Sequence, residues 1–392
     1  MNGKSAIPET PPNALLITRN LPPLRGGMER LNLHMAQSLS DWCNLVVIGP
    51  EGCSLRLPET IEVLEVPAAP LWRFLLSARQ AVARLSTHPF DFVLAGSGLT
   101  APLARKVAKR ANAKSVAYVH GLDLVANHPV YRFLWMPHLR RLDLALANSR
   151  NTADLAARRG VAGGRIRVVN PGVSLPRTPE EAGNEFRARH QLGKRPMLLS
   201  VGRLTRRKGL AEFVRHVMPA IRRSYPDVAL VVIGDEAPDA LSGAGLGSHS
   251  ELQKLAAELE MSNSLFMFGP CDDQTLEQAY FAADVHVFPV REVPGDVEGF
   301  GMVAIEAAAH GLPTIAFAVG GVPDAVESGR SGYLVRPDDY KTFSERVCEL
   351  LATRAASNWK ETARETADKF TWEVFGTRLR QSLVPNKNGK YP

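Results

Sequence analysis

At 392 residues the chain is longer than the roughly 250–300 residues over which one hydrophobic core usually extends, so its length predicts two domains. Hydrophobic residues make up 45% and charged residues 22% of the chain, which excludes an intrinsically disordered protein. The net charge of +7 is uneven, because residues 1–175 carry 21 Lys and Arg against 11 Asp and Glu, whereas residues 176–392 carry 26 against 29.

The basic first half predicts an anionic partner, which would be nucleic acid, a lipid surface or a phosphorylated substrate. Solvated arginine-rich helix faces are the alternative. Aromatic residues make up only 7% of the chain, and no RNP-like or helix-turn-helix pattern occurs. We therefore do not expect nucleic acid to be the partner.

The sequence shows no membrane-spanning or secretory segment. No run of about 18 apolar residues occurs, and residues 1–13 lack the apolar centre of a signal peptide. The cysteines Cys43, Cys53, Cys271 and Cys348 form no C-x-x-C pair, which argues against a zinc site or a disulfide framework. We expect a soluble, cytoplasmic protein.

Short apolar runs alternate with helical segments along the first half of the chain. Most of these runs are apolar throughout, as is typical of buried parallel strands. The predicted strands are Ala14–Thr18, Leu45–Ile48, Ile61–Val66, Asp91–Ala95, Ser115–His120, Leu144–Ala147 and Ile166–Val169.

The same alternation restarts after a Pro- and Glu-rich stretch at 176–184. Two successive arrays predict an α/β protein with two doubly wound, Rossmann-like domains and a cleft between them. No G-x-G-x-x-G follows the first strand, so a dinucleotide site is not indicated. The predicted strands of the second array are Met197–Val201, Val228–Ile233, Leu265–Phe268, Val285–Phe288 and Thr314–Phe317.

The turn after the first strand contains the pair Gly26-Gly27. It leads into a helix whose apolar residues Leu31, Met35 and Leu39 recur at every fourth position. A glycine pair at this place permits close backbone approach, and the first amides of the helix suit a phosphate. Taken alone, the pair favours the alternative of a structural tight turn.

The loop after Met197–Val201 contains Gly202, Arg203 and Lys208 at the carboxyl edge of the predicted sheet, where α/β proteins bind ligands. Two cations five residues apart beside a glycine can bracket a diphosphate. Because Arg206 and Arg207 lie in the same loop, a solvated basic loop is an equal alternative.

The segment from Glu298 to Glu306 is the strongest motif. Gly299 and Gly301 open a helix whose first amides would face a ligand, and the two carboxylates would point toward one cleft from different depths. Each carboxylate could hold a pair of vicinal hydroxyls, one pair on a ribose and one on a sugar. A capped structural helix is the alternative, which the joint pattern with the Gly-rich loop 320–324 outweighs.

In combination these motifs resemble the retaining glycosyltransferases of family four, which have the GT-B fold. The resemblance covers residues 14 to about 375. Arg291 and the segment Asp296–Gly301 are similar to bacterial mannosyltransferases that use GDP-mannose. Further matching segments are Asn148-Ser149, Asn170-Pro171-Gly172-Val173 and Gly321-Val322-Pro323.

The resemblance implies two domains that face a central cleft. An acceptor-binding domain would span 1–175 and be completed by a helix at about 371–392, and a nucleotide-sugar-binding domain would span 176–370. His120, at the end of a strand, would lie beside the transferring sugar, although a lone strand-end histidine is more often a core residue. Asp123 is a weaker candidate, because its position varies in the family.

The resemblance also assigns the donor site. Glu306 would hold the nucleotide ribose, and Glu298 the donor sugar, while Arg203 and Lys208 would hold the diphosphate. The implied catalytic residues are His120, Arg203, Lys208 and Glu298. The implied donor-binding residues are Gly26, Gly27, Gly202, Arg203, Lys208, Glu298, Phe300, Gly301, Met302, Val303 and Glu306.

The implied reaction moves a hexose from a nucleotide diphosphate, GDP-mannose or a related sugar nucleotide, to an acceptor hydroxyl with retention at the anomeric carbon. Arg203 and Lys208 would neutralise the departing phosphate, which would take the acceptor proton. No D-x-D occurs, and Asp272 and Asp273 are adjacent rather than spaced. We expect no metal and no other cofactor.

The acceptor is expected to be lipid-linked. The segment 71–79, with Arg84 beyond it, places Trp72, Leu75 and Leu76 at helical spacing and Arg73 and Arg84 elsewhere, as in helices that lie on a membrane surface. This favours an acceptor on a polyprenyl diphosphate or a glycolipid at the cytoplasmic leaflet, in cell-envelope polysaccharide synthesis. A core-facing amphipathic helix is the alternative interpretation.

Two alternative enzyme classes fit the same motifs. A UDP-sugar-dependent transferase with a small soluble acceptor is the first alternative, and a nucleotide-sugar epimerase or phosphorylase of GT-B fold is the second.

Overall fold

The computed structural model describes residues 10–85, 88–126, 128–236, 248–353 and 358–384. Within these ranges the strands form two parallel sheets, one of seven and one of six strands. The strands are β1 Asn13–Ile17, β2 Asn44–Pro50, β3 Glu62–Val66, β4 Phe92–Ala95, β5 Lys114–Val119, β6 Leu144–Ala147, β7 Ile166–Val168, β8 Met197–Val201, β9 Ala229–Ile233, β10 Leu265–Met267, β11 Val285–Phe288, β12 Thr314–Phe317 and β13 Gly332–Val335.

Helices connect these strands, as parallel pairing requires. The α-helices in the described ranges are α1 Gly27–Ser40, α2 Leu71–Arg84, α3 Ala101–Ala111, α4 Leu122–Val125, α5 Pro129–Leu134, α6 Met136–Leu139, α7 Arg150–Arg158, α8 Ala182–Arg189, α9 Leu210–His216, α10 Met218–Ser224, α11 His249–Glu258, α12 Asp273–Ala282, α13 Met302–Ala309, α14 Val322–Ala325, α15 Tyr340–Thr353, α16 Trp359–Ala367 and α17 Trp372–Leu383.

The chain divides into two compact units. The first unit contains residues 1–172 and 372–392, and its strand order is β3-β2-β1-β4-β5-β6-β7. Strand β1 lies inside this sheet, and its alternating side chains serve two cores: Leu15 and Ile17 pack toward α2 and α3, and Leu16 packs toward α1 and α17. Burial on both faces is why β1 is apolar throughout.

The second unit runs from Val173 to Thr371, whereas the sequence placed its ends at 176 and 370. Its strand order is β10-β9-β8-β11-β12-β13. Strand β8 is also buried on both faces, with Leu198 in one core and Leu199 in the other. Each unit is therefore the doubly wound α/β sheet that the sequence predicted.

Every strand predicted from the sequence is present, with ends that differ by at most two residues. Strand β13 was missed. It begins at Gly332, and a Cβ at this residue would clash with the carbonyl oxygen of Thr314 on the neighbouring strand. A strand that starts with a glycine and has only three further residues carries too weak an apolar signal to predict.

The C-terminal helix α17 belongs to the first unit, where Phe375, Leu379 and Leu383 are buried in the same core as α1. Residues 385–392 of the helix predicted at 371–392, and residues 1–9, lie outside the described residues. Over the residues that are described, no helix is both long enough and apolar enough to cross a bilayer.

Candidate functional site

In the second unit the loops that follow β8 and β11 bring Lys208 and Glu298 together. The Lys208 Nζ lies 2.9 Å from Glu298 Oε2 and 4.6 Å from the centre of the Phe288 ring. The loop bends at Gly202, whose φ of +134° is unfavourable for other residues, and a Cβ there would lie 3.3 Å from Lys208 Cε. The ammonium is thus held at the carboxyl edge of the sheet, above the end of β8.

Arg207 also belongs to this cluster, and sequence reasoning missed it. Its side chain is only 12% exposed; Nε donates to Asp296 Oδ1 at 3.0 Å, and Nη1 donates to Glu298 Oε2. The alternative of a solvated basic loop is wrong for Arg207 but describes Arg203 and Arg206, which are exposed. Asp296 and Glu298, two residues apart, were the signal that a buried cation faces this loop.

Burial and the neighbouring charges together determine the ionisation of this cluster. Burial alone would raise the pKa of Glu298, but Arg207 and Lys208 outweigh burial and lower this pKa to about 2. Burial lowers the pKa of Lys208, against the opposite effect of Glu298, and the charges of Arg207 and, to a smaller extent, Arg203 add to the lowering. Glu298 is therefore an anion at neutral pH, and it loses that charge only as the pH falls far below neutrality.

Helix α13 starts at the same edge. Gly301, with φ +99°, precedes its first residue Met302, and a Cβ at Gly301 would lie 2.9 Å from the Phe288 ring. The Gly321 amide donates to the Glu298 carbonyl at 2.8 Å, which fixes the loop before the helix. The first amides of a helix lack intrahelical partners, so Met302 and Val303 can offer theirs to a ligand. The side chain of Phe300 is buried in the core and anchors this turn.

Glu306 is the fifth residue of α13 and is 8% exposed. The Tyr280 hydroxyl donates to its Oε2 at 3.1 Å. His310 Nδ1 donates to the backbone carbonyl of Glu306 at 2.7 Å, and its ring stacks on Tyr280 at 4.8 Å. Tyr280 and His310, which the sequence did not single out, therefore hold this carboxylate in one orientation.

A cavity of about 690 Å³ in the second unit lies at the opposite, amino edge of the sheet, where Asp284 and Pro313 precede β11 and β12. Within the described part of the chain, its lining includes none of the residues predicted for the site, although it does include Tyr280 and His310, which contact Glu306. Doubly wound sheets bind ligands at the carboxyl edge, so the cluster around Lys208 and Glu298 is the stronger candidate.

In the first unit, helix α1 starts at the predicted glycine pair. The Asn20 side-chain amide donates to Glu29 Oε1 at 2.7 Å, and a Cβ at Gly26 would clash with Glu29 Oε2. The positive end of a helix dipole attracts an anion, and here that anion is the Glu29 carboxylate. The structure thus places a carboxylate beside Gly26 and Gly27, where the sequence suggested a phosphate.

His120 follows β5 and is buried. Its Nε2 donates to the Gly96 carbonyl at 2.9 Å, and its backbone amide donates to Asp123 Oδ2 at 3.0 Å. The Asn32 side-chain amide, at 3.3 Å, donates to the same Gly96 carbonyl. Because a carbonyl only accepts, Nε2 carries a proton, and in a neutral ring Nδ1 is the remaining acceptor. The hydrogen bond thus fixes both the tautomer and the ring orientation of His120.

Two family models match the chain: Glycosyltransferase Family 4 over residues 25–177, and Glycosyl transferases group 1 over residues 183–366. Among curated proteins, the chain is 28% identical to the GDP-mannose-dependent alpha-(1-6)-phosphatidylinositol monomannoside mannosyltransferase of Mycolicibacterium smegmatis, over 96% of this chain and 99% of that protein. It is 35% identical to D-inositol 3-phosphate glycosyltransferase 2 of Catenulispora acidiphila, over 59% of this chain and 53% of that protein.

Solved structures share the fold at lower identity. The HepE structure from Anabaena in complex with UDP-glucose superposes with a TM-score of 0.75 at 18% identity, over 94% of this chain and 99% of that chain. WaaG, a glycosyltransferase of lipopolysaccharide biosynthesis, superposes with a TM-score of 0.66 at 17% identity, over 95% and 99%. These likenesses show that the fold is GT-B.

Proposed function

This chain belongs to the glycosyltransferases of family 4, and from that premise we propose that it transfers a hexose from a nucleotide diphosphate to an acceptor hydroxyl. The observation that carries the proposal is the ion pair of Lys208 and Glu298 at the carboxyl edge of the sheet, with Glu306 about one turn inside the helix that starts at that edge. A sugar nucleotide can be bound by a cation that contacts its diphosphate and by two carboxylates that accept from its hydroxyl pairs, one on the ribose and one on the sugar.

We propose the following roles for these residues. Lys208 and the exposed Arg203 bind the diphosphate, with Gly202 allowing close approach, and they neutralise the phosphate as it departs, so that no metal is needed. Glu298 accepts from the hydroxyls of the donor sugar, and Glu306 accepts from the ribose.

The bond between the anomeric carbon and the diphosphate oxygen breaks, the acceptor oxygen bonds to that carbon on the same face, and the departing phosphate takes the acceptor proton. Attack on the face of departure gives retention of configuration. The Nδ1 of His120 is the acceptor that we propose for the transferring sugar, because Nε2 already donates to Gly96. Both steps rest on the family resemblance and on the fixed orientation of this ring.

The donor is proposed to be a GDP-sugar, with mannose or a related hexose. The relative from Mycolicibacterium smegmatis, which the chain covers over 99% of its length, is named as GDP-mannose-dependent. The alternative is a UDP-sugar, since the HepE structure holds UDP-glucose, but its likeness at 18% identity concerns the fold alone.

A thermal-shift screen with GDP-, UDP- and ADP-mannose and the matching glucose nucleotides tests the donor. At about 100 times its Kd, a ligand stabilises the folded state by about 2.7 kcal/mol, or roughly 5–10 °C in Tm for a domain of ~200 residues. We expect GDP-mannose to give the largest shift, and EDTA to leave the rate of sugar transfer unchanged. Product analysis with and without an acceptor separates a transferase from an epimerase. A chain that responds to none of the sugar nucleotides would contradict the proposal.

We further propose that the acceptor is lipid-linked and that the first unit docks on an anionic membrane. Helix α2 buries Phe74 and Ala78, which fits a core-facing helix, yet Trp72 is 67% and Leu76 50% exposed on its other side. The exposed apolar residues of α5, which the sequence did not suggest, are Val130, Phe133 and Leu134. Residues 1–175 contain 21 Lys and Arg against 11 Asp and Glu, so their net positive charge complements an anionic surface.

Co-sedimentation with vesicles tests this docking surface. We expect the protein to bind anionic vesicles at low salt. Binding should be weaker to neutral vesicles, which lack the attracting charge, and weaker at high salt, which screens that charge. The double variant Trp72→Ser, Leu76→Ser is expected to bind at least about tenfold more weakly, since each buried apolar side chain contributes about 1.5–3 kcal/mol. Leu175→Ser, at 49% exposure in the second unit, is the matched control and should bind normally. Equal binding by the double variant and the control would contradict the proposal.

A further inference from the structure

The proposed function assigns no role to Arg207, a cation that contacts Glu298. Its guanidinium joins two carboxylates of one loop, Asp296 through Nε and Glu298 through Nη1, and all three side chains are largely buried. The backbone carbonyl of Arg207 also accepts from the Arg291 amide at 2.8 Å, so the loop that bears the cation is tied to the loop that bears the carboxylates.

The proposed function requires Lys208 to interact with two anions, Glu298 and the diphosphate. Its Nζ lies 2.9 Å from Glu298 Oε2, but the proposed function also requires this ammonium to face a diphosphate. A lysine ammonium is a point charge on a flexible stem, and it can turn toward a stronger anion. When Lys208 turns to the diphosphate, Glu298 loses one of its two cations.

Arg207 cannot turn in the same way. Its guanidinium donates from fixed, coplanar nitrogens, and any movement toward a phosphate would break its bonds to both Asp296 and Glu298. A buried carboxylate left without a cation takes up a proton, and a protonated Glu298 would donate to the sugar with one oxygen rather than accept with both.

Building on the proposed function, we propose that Arg207 is a positioning residue, which holds the Glu298 carboxylate in place as an anion while Lys208 engages the diphosphate. Asp296 keeps the guanidinium aligned. The charged and titratable groups around Glu298 are Arg207 and Lys208 in direct contact, Asp296 beyond Arg207, and Arg203 and His286 beyond Lys208. His286 stays neutral, because burial and the charge of Lys208 lower its pKa to about 3.

The test compares Arg207→Gln, Arg207→Lys and the exposed control Arg206→Gln, each in the full chain, with GDP and GDP-mannose as probes. We expect Arg207→Gln to bind GDP within about threefold of wild type but to transfer sugar at least about a hundredfold more slowly at neutral pH. Its rate should rise with pH across the range where wild type is flat, because burial raises the pKa of Glu298 once Arg207 is absent and Lys208 has turned to the diphosphate. Arg206→Gln should match wild type.

Arg207→Lys separates charge from orientation. A lysine restores the cation without the coplanar nitrogens, so we expect the flat pH profile to return while kcat remains about tenfold low. The variant also carries the test if Arg207→Gln does not fold.

A wild-type pH profile and rate in Arg207→Gln, or a pH-dependent rate in Arg207→Lys like that expected of Arg207→Gln, would overturn the inference. If the proposed function itself is wrong, wild type will not transfer sugar at all, which is a different outcome.

Discussion

Replacing Glu306 with alanine is expected to weaken the binding of free GDP at least about tenfold while the fold stays intact. Each hydrogen bond from a ribose hydroxyl to a carboxylate contributes roughly 1.5–3 kcal/mol, and one such bond already corresponds to a factor of ten or more. The side chain is positioned for this role by the Tyr280 hydroxyl at 3.1 Å. Isothermal titration calorimetry with GDP measures the change, and circular dichroism verifies the fold.

A second variant near the site and a control variant accompany this measurement. Tyr280→Phe removes the hydroxyl that orients the carboxylate but keeps its charge, so we expect a smaller loss of GDP affinity than in Glu306→Ala. Glu345→Ala removes an exposed carboxylate from α15 of the same unit and should bind GDP as wild type does. If Glu306→Ala binds GDP as tightly as wild type, the ribose assignment is wrong.

The strands were predictable because the sheets of both units bury β1 and β8 on two faces. Burial on both sides demands unbroken apolar runs such as Ala14–Ile17 and Met197–Val201, which stand out in the sequence. Strand β13 did not stand out, because its first residue must be a glycine to pass the Thr314 carbonyl. The pattern of apolar residues in β13 does not reflect this steric requirement, because the requirement comes from the neighbouring strand.

The contacts within the candidate site could not be predicted from the sequence. The sequence pointed to Lys208 and Glu298 separately, and their ion pair depends on two loops 90 residues apart. These loops meet where Gly209 packs on the carbonyl of Pro289 so closely that a Cβ would clash. Which arginine of the loop is buried depends on the turn Arg206–Lys208, and no local periodicity distinguishes Arg207 from Arg203.

In the first unit, the family resemblance singled out His120, but it did not predict the Gly96 carbonyl that orients the ring or the Asn32 amide that donates to the same carbonyl. Asn32 lies on the buried face of α1 among apolar residues, where a single amide looks like an ordinary helix residue. Its function as a donor to the Gly96 carbonyl becomes visible only when β4 is placed beside β1. Hydrogen bonds between residues 64 positions apart follow from the strand order, and the motifs alone did not give that order.

Ending the chain at Phe370 is expected to abolish soluble expression, because this change removes helix α17 from the core of the first unit. Phe375, Leu379 and Leu383 are buried there, and burial of each contributes about 1.5–3 kcal/mol. Gly376 approaches Ser38 of α1 so closely that a Cβ would clash, so the two helices are in intimate contact. The sum of these contributions approaches the 5–15 kcal/mol that is typical of a whole domain.

A point variant and two controls make this prediction quantitative. Leu379→Ala is expected to lower the free energy of unfolding by about 2–5 kcal/mol in a urea titration, since it leaves a cavity in a packed core. Gln381→Ala, on the exposed side of the same helix, should change it by less than about 0.5 kcal/mol. A chain that ends at Val384 keeps all of α17 and should remain soluble. A folded, active protein that ends at Phe370 would show that the first unit does not need this helix, because its core would then close without the three side chains that fill it.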